Sequence, residues 1–330
     1  MNIAILGAGS WGTALGQVLH ENSCEVLLWH LEPHFVDKIN NTHKHPFLPG
    51  VTISPELQFT ASLDELLDYG DMMISALPSQ VVRQVMNQFT PAWQKPIISV
   101  SKGIENLTGM RMSEVIAETL KLSSENIIVL SGPSHAEEVA LKYPTAIVAA
   151  CEDKDQARRI QTLFSNDYLR VYTSTDVTGV EIGGSAKNII AIAAGICHGL
   201  GFGDNTMAAL VTRGLEEIIR LGNELGAERT TFSGLSGIGD LVVTAFSPHS
   251  RNRQVGERIG KGEKLNNILA DMEMVAEGVE TARSMYNLSQ VKAIEMPICK
   301  QIYHVLFDDI PPRDAILDLM GRELVDEHPV

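Results

Sequence analysis

The chain has 330 residues, 44% of them hydrophobic and 20% charged, which is the composition of a folded protein with room for two cores. Its formal net charge is −15 and no tract rich in Lys and Arg interrupts the acidic background, so nucleic acid is excluded as an expected partner and any anionic ligand needs a local cluster of donors. No apolar run approaches the ~18 residues of a membrane span, and Cys24, Cys151, Cys197 and Cys299 form no CxxC pair, so free thiols in a reducing cytosol are expected.

"NIAILG" predicts a first strand with no signal-peptide pattern before it. "GAGSWG" at 7–12 follows directly and opens a helix from Trp11 to about His20. A bare G-x-G-x-x-G is common, but between a strand and a helix it has a use for each glycine. Gly7 allows the tight turn, Gly9 lets the backbone approach a pyrophosphate, and Gly12 permits close helix–strand packing. The helix N-terminus supplies free N–H groups for phosphate. The second strand, "EVLLWH", ends at His30 with Glu32 two residues on. An acidic residue at that end would bind a ribose 2′-hydroxyl and repel a 2′-phosphate. His30 is compatible with a 2′-phosphate, whereas Glu32 disfavours it if turned inward. NADPH is therefore the favoured cofactor, with NADH left open.

Further strands are expected at 72–77, 96–101, 126–131, 145–150 and 169–174, with helical patterns such as "SLDELLDYG" and "DQARRIQTLF" between them. Such alternation predicts a mostly parallel sheet covered on both faces. Lys102, in "SVSKGIE", follows one strand end, and "SGPSHAEE" at 131–138 follows another, with Gly132, Ser134 and Ala136 small enough for a ligand to approach. Ligands collect at such ends in doubly wound folds. His30, His34, His43 and His45 lack a third ligand at metal-site spacing, and "NNTHKHPFLPG" reads as a loop, so no metal site is expected.

After about residue 180 the apolar residues recur at helical spacing, over 187–197, 205–226, 251–260, 278–291 and 312–320. Pro248, Pro297 and the pair Pro311–Pro312 mark turns between helices, and Asp204, Asn205 and Thr206 read as a helix cap. The expected architecture is α/β: an N-terminal Rossmann-type doubly wound sheet over 1–180, then an all-α C-terminal domain over 181–330 carrying the substrate site.

In "EIGGSAKNIIAI", Lys187 stands at the head of an apolar helix. It is either a solvated helix-end charge or a proton donor in a cleft. The helix dipole would lower its pKa, the preceding glycines would leave room for a substrate, and Asn188 would add an amide donor. Asp240, between "GIG" and "LVV", reads as buried and so needs a partner such as a lysine or a substrate hydroxyl. In "SRNR", Ser250 is an N-cap candidate. Arg251, Asn252 and the free N–H groups of that turn make either an anion site or merely a capped helix with exposed arginines.

Together, "GAGSWGTALG", "LPG", "SKGIE", "SGPSHAEEVA", "AKNIIAIAAGI", "GFGDNTMAALVTRGL", "LSGIGDLVVT", "SRNRQVG" and "VAEGVET" resemble, in order and spacing, the bacterial-type NAD(P)-dependent glycerol-3-phosphate dehydrogenases over nearly the whole chain. The resemblance implies reduction of dihydroxyacetone phosphate to sn-glycerol 3-phosphate for glycerophospholipid synthesis. It makes Lys187 the general acid–base, with Lys102 and Asp240 as its companions. Gly132, Ser134, Asn188, Thr244, Ser250, Arg251 and Asn252 fall on substrate positions, the last three on the phosphate. Ser10, Trp11, His30, Lys102, Ala136, Arg251, Val275 and Glu277 fall on cofactor positions. A cytoplasmic homodimer is also implied. One departure is His135, where the family usually has Phe after "GPS" or "GPT"; it is either a ring-for-ring exchange or a source of pH dependence in cofactor binding. The rival readings are a 3-hydroxyacid dehydrogenase of related architecture, which would leave Arg251 without a partner, and a catalytically silent NADPH sensor, which would not need Lys187 and Asp240.

Overall fold

The computed structural model describes residues 1–90, 92–272, 275–324 and 326–327. Strands β1 (Asn2–Leu6), β2 (Glu25–Trp29), β3 (Gln58–Thr60), β4 (Met72–Ser75), β5 (Ile97–Ser99), β6 (Ile127–Ser131), β7 (Thr145–Ala150) and β8 (Leu169–Ser174) form one sheet in the order β3-β2-β1-β4-β5-β6-β7-β8. Every neighbouring pair is parallel except β6 with β7. The first six strands have the Rossmann order, and ligands bind where it reverses beside β1. β3 escapes the sequence pattern because three residues, "QFT", are too few to show a period.

Helices α1 (Ser10–Glu21), α2 (Pro33–Thr42), α3 (Leu63–Tyr69), α4 (Val82–Met86), α5 (Met112–Leu120), α6 (Ala136–Ala140) and α7 (Lys154–Phe164) accompany the strands. Alternate strand residues face opposite layers. Ile3, Ile5, Ile74 and Ile98 pack with α1, α2, α6 and α7, while Ala4, Leu6, Met73 and Ile97 pack with α3, α4 and α5. Burial on both faces explains why the strands read as continuous apolar runs. The loop expected over "NNTHKHPFLPG" begins later than predicted, because α2 extends to Thr42.

The remainder is helical: α8 (Val177–Gly199), α9 (Asp204–Glu224), α10 (Asp240–Phe246), α11 (Arg251–Gly260), α12 (Leu265–Asp271), α13 (Glu277–Val291), α14 (Pro297–Phe307) and α15 (Pro312–Met320). Pro297 and Pro312 occupy first helical positions, where a missing N–H costs nothing. The expected boundary at 180/181 falls inside α8, and residues 328–330 lie outside the described residues. By length and composition α8 could cross a membrane, but its 18-residue apolar window is buried throughout within the protein. It is a core helix. The cap expected at Asp204, Asn205 and Thr206 is also corrected: Gly203 is the N-cap of α9, no side chain caps it, and Asp204 is the first helical residue.

α8 crosses α11 with backbone against backbone. A methyl group on Gly195 would lie 2.0 Å from the Arg253 carbonyl oxygen, and one on Gly256 would lie 2.0 Å from that of Ile192. Gly199 and Gly260 meet the opposing helix in the same way. This contact fixes where the N-terminus of α11 stands relative to the middle of α8.

Candidate active site

At the β1–α1 turn, Gly7 has φ +119°, and a side chain there would strike the Ala76 carbonyl at 2.7 Å. A Cβ on Gly12 would lie 2.0 Å from the Gly7 carbonyl oxygen, whereas among the described residues nothing lies within 4 Å of one on Gly9. Space therefore opens where a pyrophosphate would approach. Gly9 is the N-cap of α1 with no side-chain cap, and no acidic residue occupies the first turn, so the N–H groups of Ser10, Trp11 and Gly12 face that space unneutralised. The turn thus fits the phosphates of a dinucleotide. His45 supports it by donating from Nε2 to the Ala8 carbonyl at 3.1 Å while Nδ1 accepts from Phe47 N–H. Sequence spacing gave no sign of that role.

His30 stacks on Phe35 with ring centroids 3.9 Å apart, and its Nδ1 accepts from Glu32 N–H. Glu32 is exposed at the start of α2, 3.4 Å from His34 Nε2. Its carboxylate also acts electrostatically on His30.

The ends of β5 and β6 meet α8 and α10 around one buried carboxylate. Lys187 Nζ donates to Asp240 Oδ1 at 2.6 Å and to Thr244 Oγ1 at 2.6 Å. Lys102 Nζ donates to Asp240 Oδ2 at 2.7 Å and to the Gly132 carbonyl at 3.2 Å. Thr244 Oγ1 donates its own hydrogen bond to the Asp240 backbone carbonyl, and Ser134 Oγ donates to the Gly132 carbonyl. Burial drives the Lys187 pKa down; Asp240 pulls it up and Lys102 pushes it further down, leaving it at about 8. Burial alone would raise the Asp240 pKa, but the two ammonium groups outweigh that and hold it below the carboxylate range. The result is an ionised carboxylate orienting an ammonium that surrenders its proton near neutrality.

Two expectations about Lys187 are corrected here. It lies in the middle of α8, so burial rather than the helix dipole lowers its pKa. The glycines before it do not make room for a substrate. A Cβ on Gly183 would lie 2.4 Å from the Ser236 carbonyl oxygen, and one on Gly184 would lie 2.5 Å from Ser131 Oγ. They let the 234–239 turn and the end of β6 close around the lysine.

Beside this cluster two helices begin. Ser250 caps α11 by accepting from Arg253 N–H, Arg251 Nη1 donates to the Val275 carbonyl at 2.7 Å, and Asn252 Oδ1 accepts from Gly278 N–H at 2.9 Å. Gly278 also faces the Asn188 carbonyl, so α8, α11 and the start of α13 converge. Burial raises the Glu277 pKa, opposed by Arg251, an N–H bond from Ser79, and the two lysines. Ser79 is a neighbour of the site that the sequence did not disclose: a Cβ on Gly103, the residue after Lys102, would lie 2.4 Å from Ser79 Oγ. Ala136 opens α6, which packs on α1. The structure thus assembles Lys102, Gly132, Ser134, Lys187, Asp240 and Thr244 in one cluster and Asn188, Ser250, Arg251, Asn252, Val275 and Glu277 in the adjoining one. His30 stands apart with the β2 end. Among the described residues no three His, Cys, Asp or Glu side chains gather as a metal site.

A Rossmann sheet whose strand ends face a buried, pKa-shifted lysine on an all-helical unit defines a two-domain nicotinamide-dependent dehydrogenase. Family models for the N-terminus and C-terminus of NAD-dependent glycerol-3-phosphate dehydrogenase match residues 2–157 and 176–317. The glycerol-3-phosphate dehydrogenase (NAD(P)+) of Chlorobium limicola is 49% identical over 327 residues, with 98% of each chain covered. The crystal structure of glycerol-3-phosphate dehydrogenase from Coxiella burnetii is similar with a TM-score of 0.92 at 35% identity, over 97% of this chain and 99% of that one. A D-mandelate dehydrogenase, at 15% identity and TM-score 0.64 over 96% of this chain and 99% of its own, shares the fold alone. The chain belongs to the NAD-dependent glycerol-3-phosphate dehydrogenase family.

Proposed function

We propose that Lys187 is the general acid–base of this enzyme, an NAD(P)-dependent glycerol-3-phosphate dehydrogenase that reduces dihydroxyacetone phosphate to sn-glycerol 3-phosphate. The observation that carries the role is the ammonium buried against Asp240 and Thr244 with its pKa drawn down to about 8. The bound nicotinamide supplies the hydride. Lys187 gives its proton to the C2 oxygen as negative charge develops there, and takes it back in the oxidation direction. Asp240 keeps that ammonium charged and aimed, and Lys102 adds a second positive charge beside the same oxygen. Gly132, Ser134, Asn188 and Thr244 line the substrate. Ser250, Arg251, Asn252 and the first-turn N–H groups of α11 take the phosphate, which supplies the local cationic site that an acidic protein requires.

The cofactor is held by Gly7, Gly9, Ser10, Trp11 and Gly12 at its pyrophosphate, and by His30, Lys102, Ala136, Arg251, Val275 and Glu277 along its length. His30 at the end of β2, in place of an acidic residue that would repel a 2′-phosphate, supports a preference for NADPH over NADH. Residues 1–180 act as the dinucleotide-binding unit and 181–330 as the substrate unit. A homodimer in the cytoplasm, supplying glycerophospholipid synthesis, completes the reading; the four cysteines, all free and buried, suit a reducing compartment. The test is spectrophotometric. NADPH oxidation is followed with dihydroxyacetone phosphate and with dihydroxyacetone, in the native enzyme and in Arg251→Ala. The phosphate should be required, and the variant should raise KM about 10- to 100-fold by removing charge-assisted hydrogen bonds. Equal rates on both substrates would reject the phosphate site.

A further inference from the structure

We propose that His135 is a specificity-determining residue, its imidazole hydrogen-bonding the substrate's phosphate together with His249. The inference rests on the phosphate site assigned above to the N-terminus of α11, and it extends that site onto the other wall of the cleft.

His135 precedes α6 in the loop that carries Gly132 and Ser134, so it belongs to the sheet side. His249 immediately precedes Ser250, the N-cap of α11, so it belongs to the helical side. The two rings face each other at a centroid distance of 6.0 Å, tilted by 58°. That separation is too wide for a direct hydrogen bond between ring nitrogens. It leaves space for one oxygen to bridge the two rings when a nitrogen of each turns inward.

Among the described residues His135 Nε2 is enclosed and has no protein hydrogen-bond partner, so a ligand oxygen reaches it as the walls of the cleft part. An enclosed polar atom left unpaired costs about 1–3 kcal/mol, which a phenyl ring of the same shape would avoid. A ligand that supplies the missing partner accounts for the nitrogen, and a ring-for-ring exchange does not. The charged groups around the ring are Lys187, Asp240, Glu137 and Glu138, with His249 facing it from the α10–α11 loop. Lys187 and Asp240 put the imidazole at the substrate cluster rather than at the cofactor turn. Burial, then the Lys187 charge, lower its pKa. Both effects favour the neutral imidazole, which still donates one N–H to a phosphate oxygen.

The experiment compares native enzyme, His135→Phe, His135→Gln and His249→Ala by KM for dihydroxyacetone phosphate, competitive inhibition by inorganic phosphate, and NADPH affinity from fluorescence quenching. In His135→Phe, KM and the inhibition constant of phosphate should both rise about 10- to 100-fold, the span of one hydrogen bond to a charged group. kcat should fall by less, and NADPH affinity should stay within twofold. His135→Gln, which keeps a donor, should recover part of the loss, and His249→Ala should move the same two constants. Native KM and phosphate inhibition in His135→Phe would overturn the inference while leaving the Arg251 site intact. A change confined to NADPH affinity would overturn it too. Native enzyme that reduces unphosphorylated dihydroxyacetone equally well would remove the phosphate site and this inference with it.

Discussion

Lys187 owes its chemistry to a solvent-free position rather than to a helix end. Its pKa of about 8 lies below that of a free ammonium because burial penalises the charge more than Asp240 rewards it. In the proposed acid–base role, reduction needs the protonated form of Lys187 and oxidation the free amine. The rate of dihydroxyacetone phosphate reduction should therefore fall above about pH 8, and that of glycerol 3-phosphate oxidation should rise through the same region; parallel profiles in the two directions would count against the assignment. That Asp240 is buried and needs a partner was legible beforehand, because an Asp between "GIG" and "LVV" has no solvent to turn to, but whether that partner is a lysine or a substrate hydroxyl was not. The true setting of Lys187 was not legible. The stretch "VTGVEIGG" is poor in helix formers, so propensity hides the first turns of α8, which tertiary packing imposes.

Among the elements, the long strands and long amphipathic helices declared themselves through period, whereas β3, α10, α12 and α14 were too short or too mixed to do so. The glycines joining α8 to α11 were visible as letters, but their purpose appears only when two backbones touch. Gly256→Ala should destabilise the protein by about 1–3 kcal/mol, since the neighbouring atoms are backbone and cannot yield. Displacing α11 should also raise KM, and unchanged thermal denaturation would show the crossing to be looser than described. A second interhelical device is Glu217 of α9, whose carboxylate accepts from Ile298 N–H at 2.7 Å and Cys299 N–H at 3.1 Å at the start of α14. Burial raises its pKa from 4.5 to about 7, despite those two bonds. A raised pKa means that the folded state binds the proton more tightly than the unfolded chain does. This contribution is present below pH 4.5 and is lost as pH rises through about 7, a change on the order of 3 kcal/mol. Denaturation midpoints measured between pH 5 and 8 should show that decline in the native protein and a flatter course in Glu217→Gln; identical slopes would exclude Glu217 as the source.

At the scale of the whole molecule, the site exists only where the two halves meet. Lys102 follows a strand of the sheet, Asp240 opens a helix of the second half, and their 2.7 Å contact joins them. A second tie stands beside it: Glu181 of α8 accepts from Arg111 at 2.7 Å and from Ser113 N–H at 2.8 Å, at the start of α5. The sequence disclosed both architectures and the glycine-rich turns and helix cap from which the candidate site was read, because these are local patterns. It did not disclose which residues face one another, because contacts such as Lys102 with Asp240 span 138 positions. The most direct test of the account is the reduction rate of Lys187→Met, a substitution that keeps the aliphatic stem and removes only the ammonium, measured at saturating NADPH and dihydroxyacetone phosphate. A fall of about 10²- to 10⁴-fold with NADPH binding retained is predicted; a rate within tenfold of the native enzyme would contradict the role of Lys187.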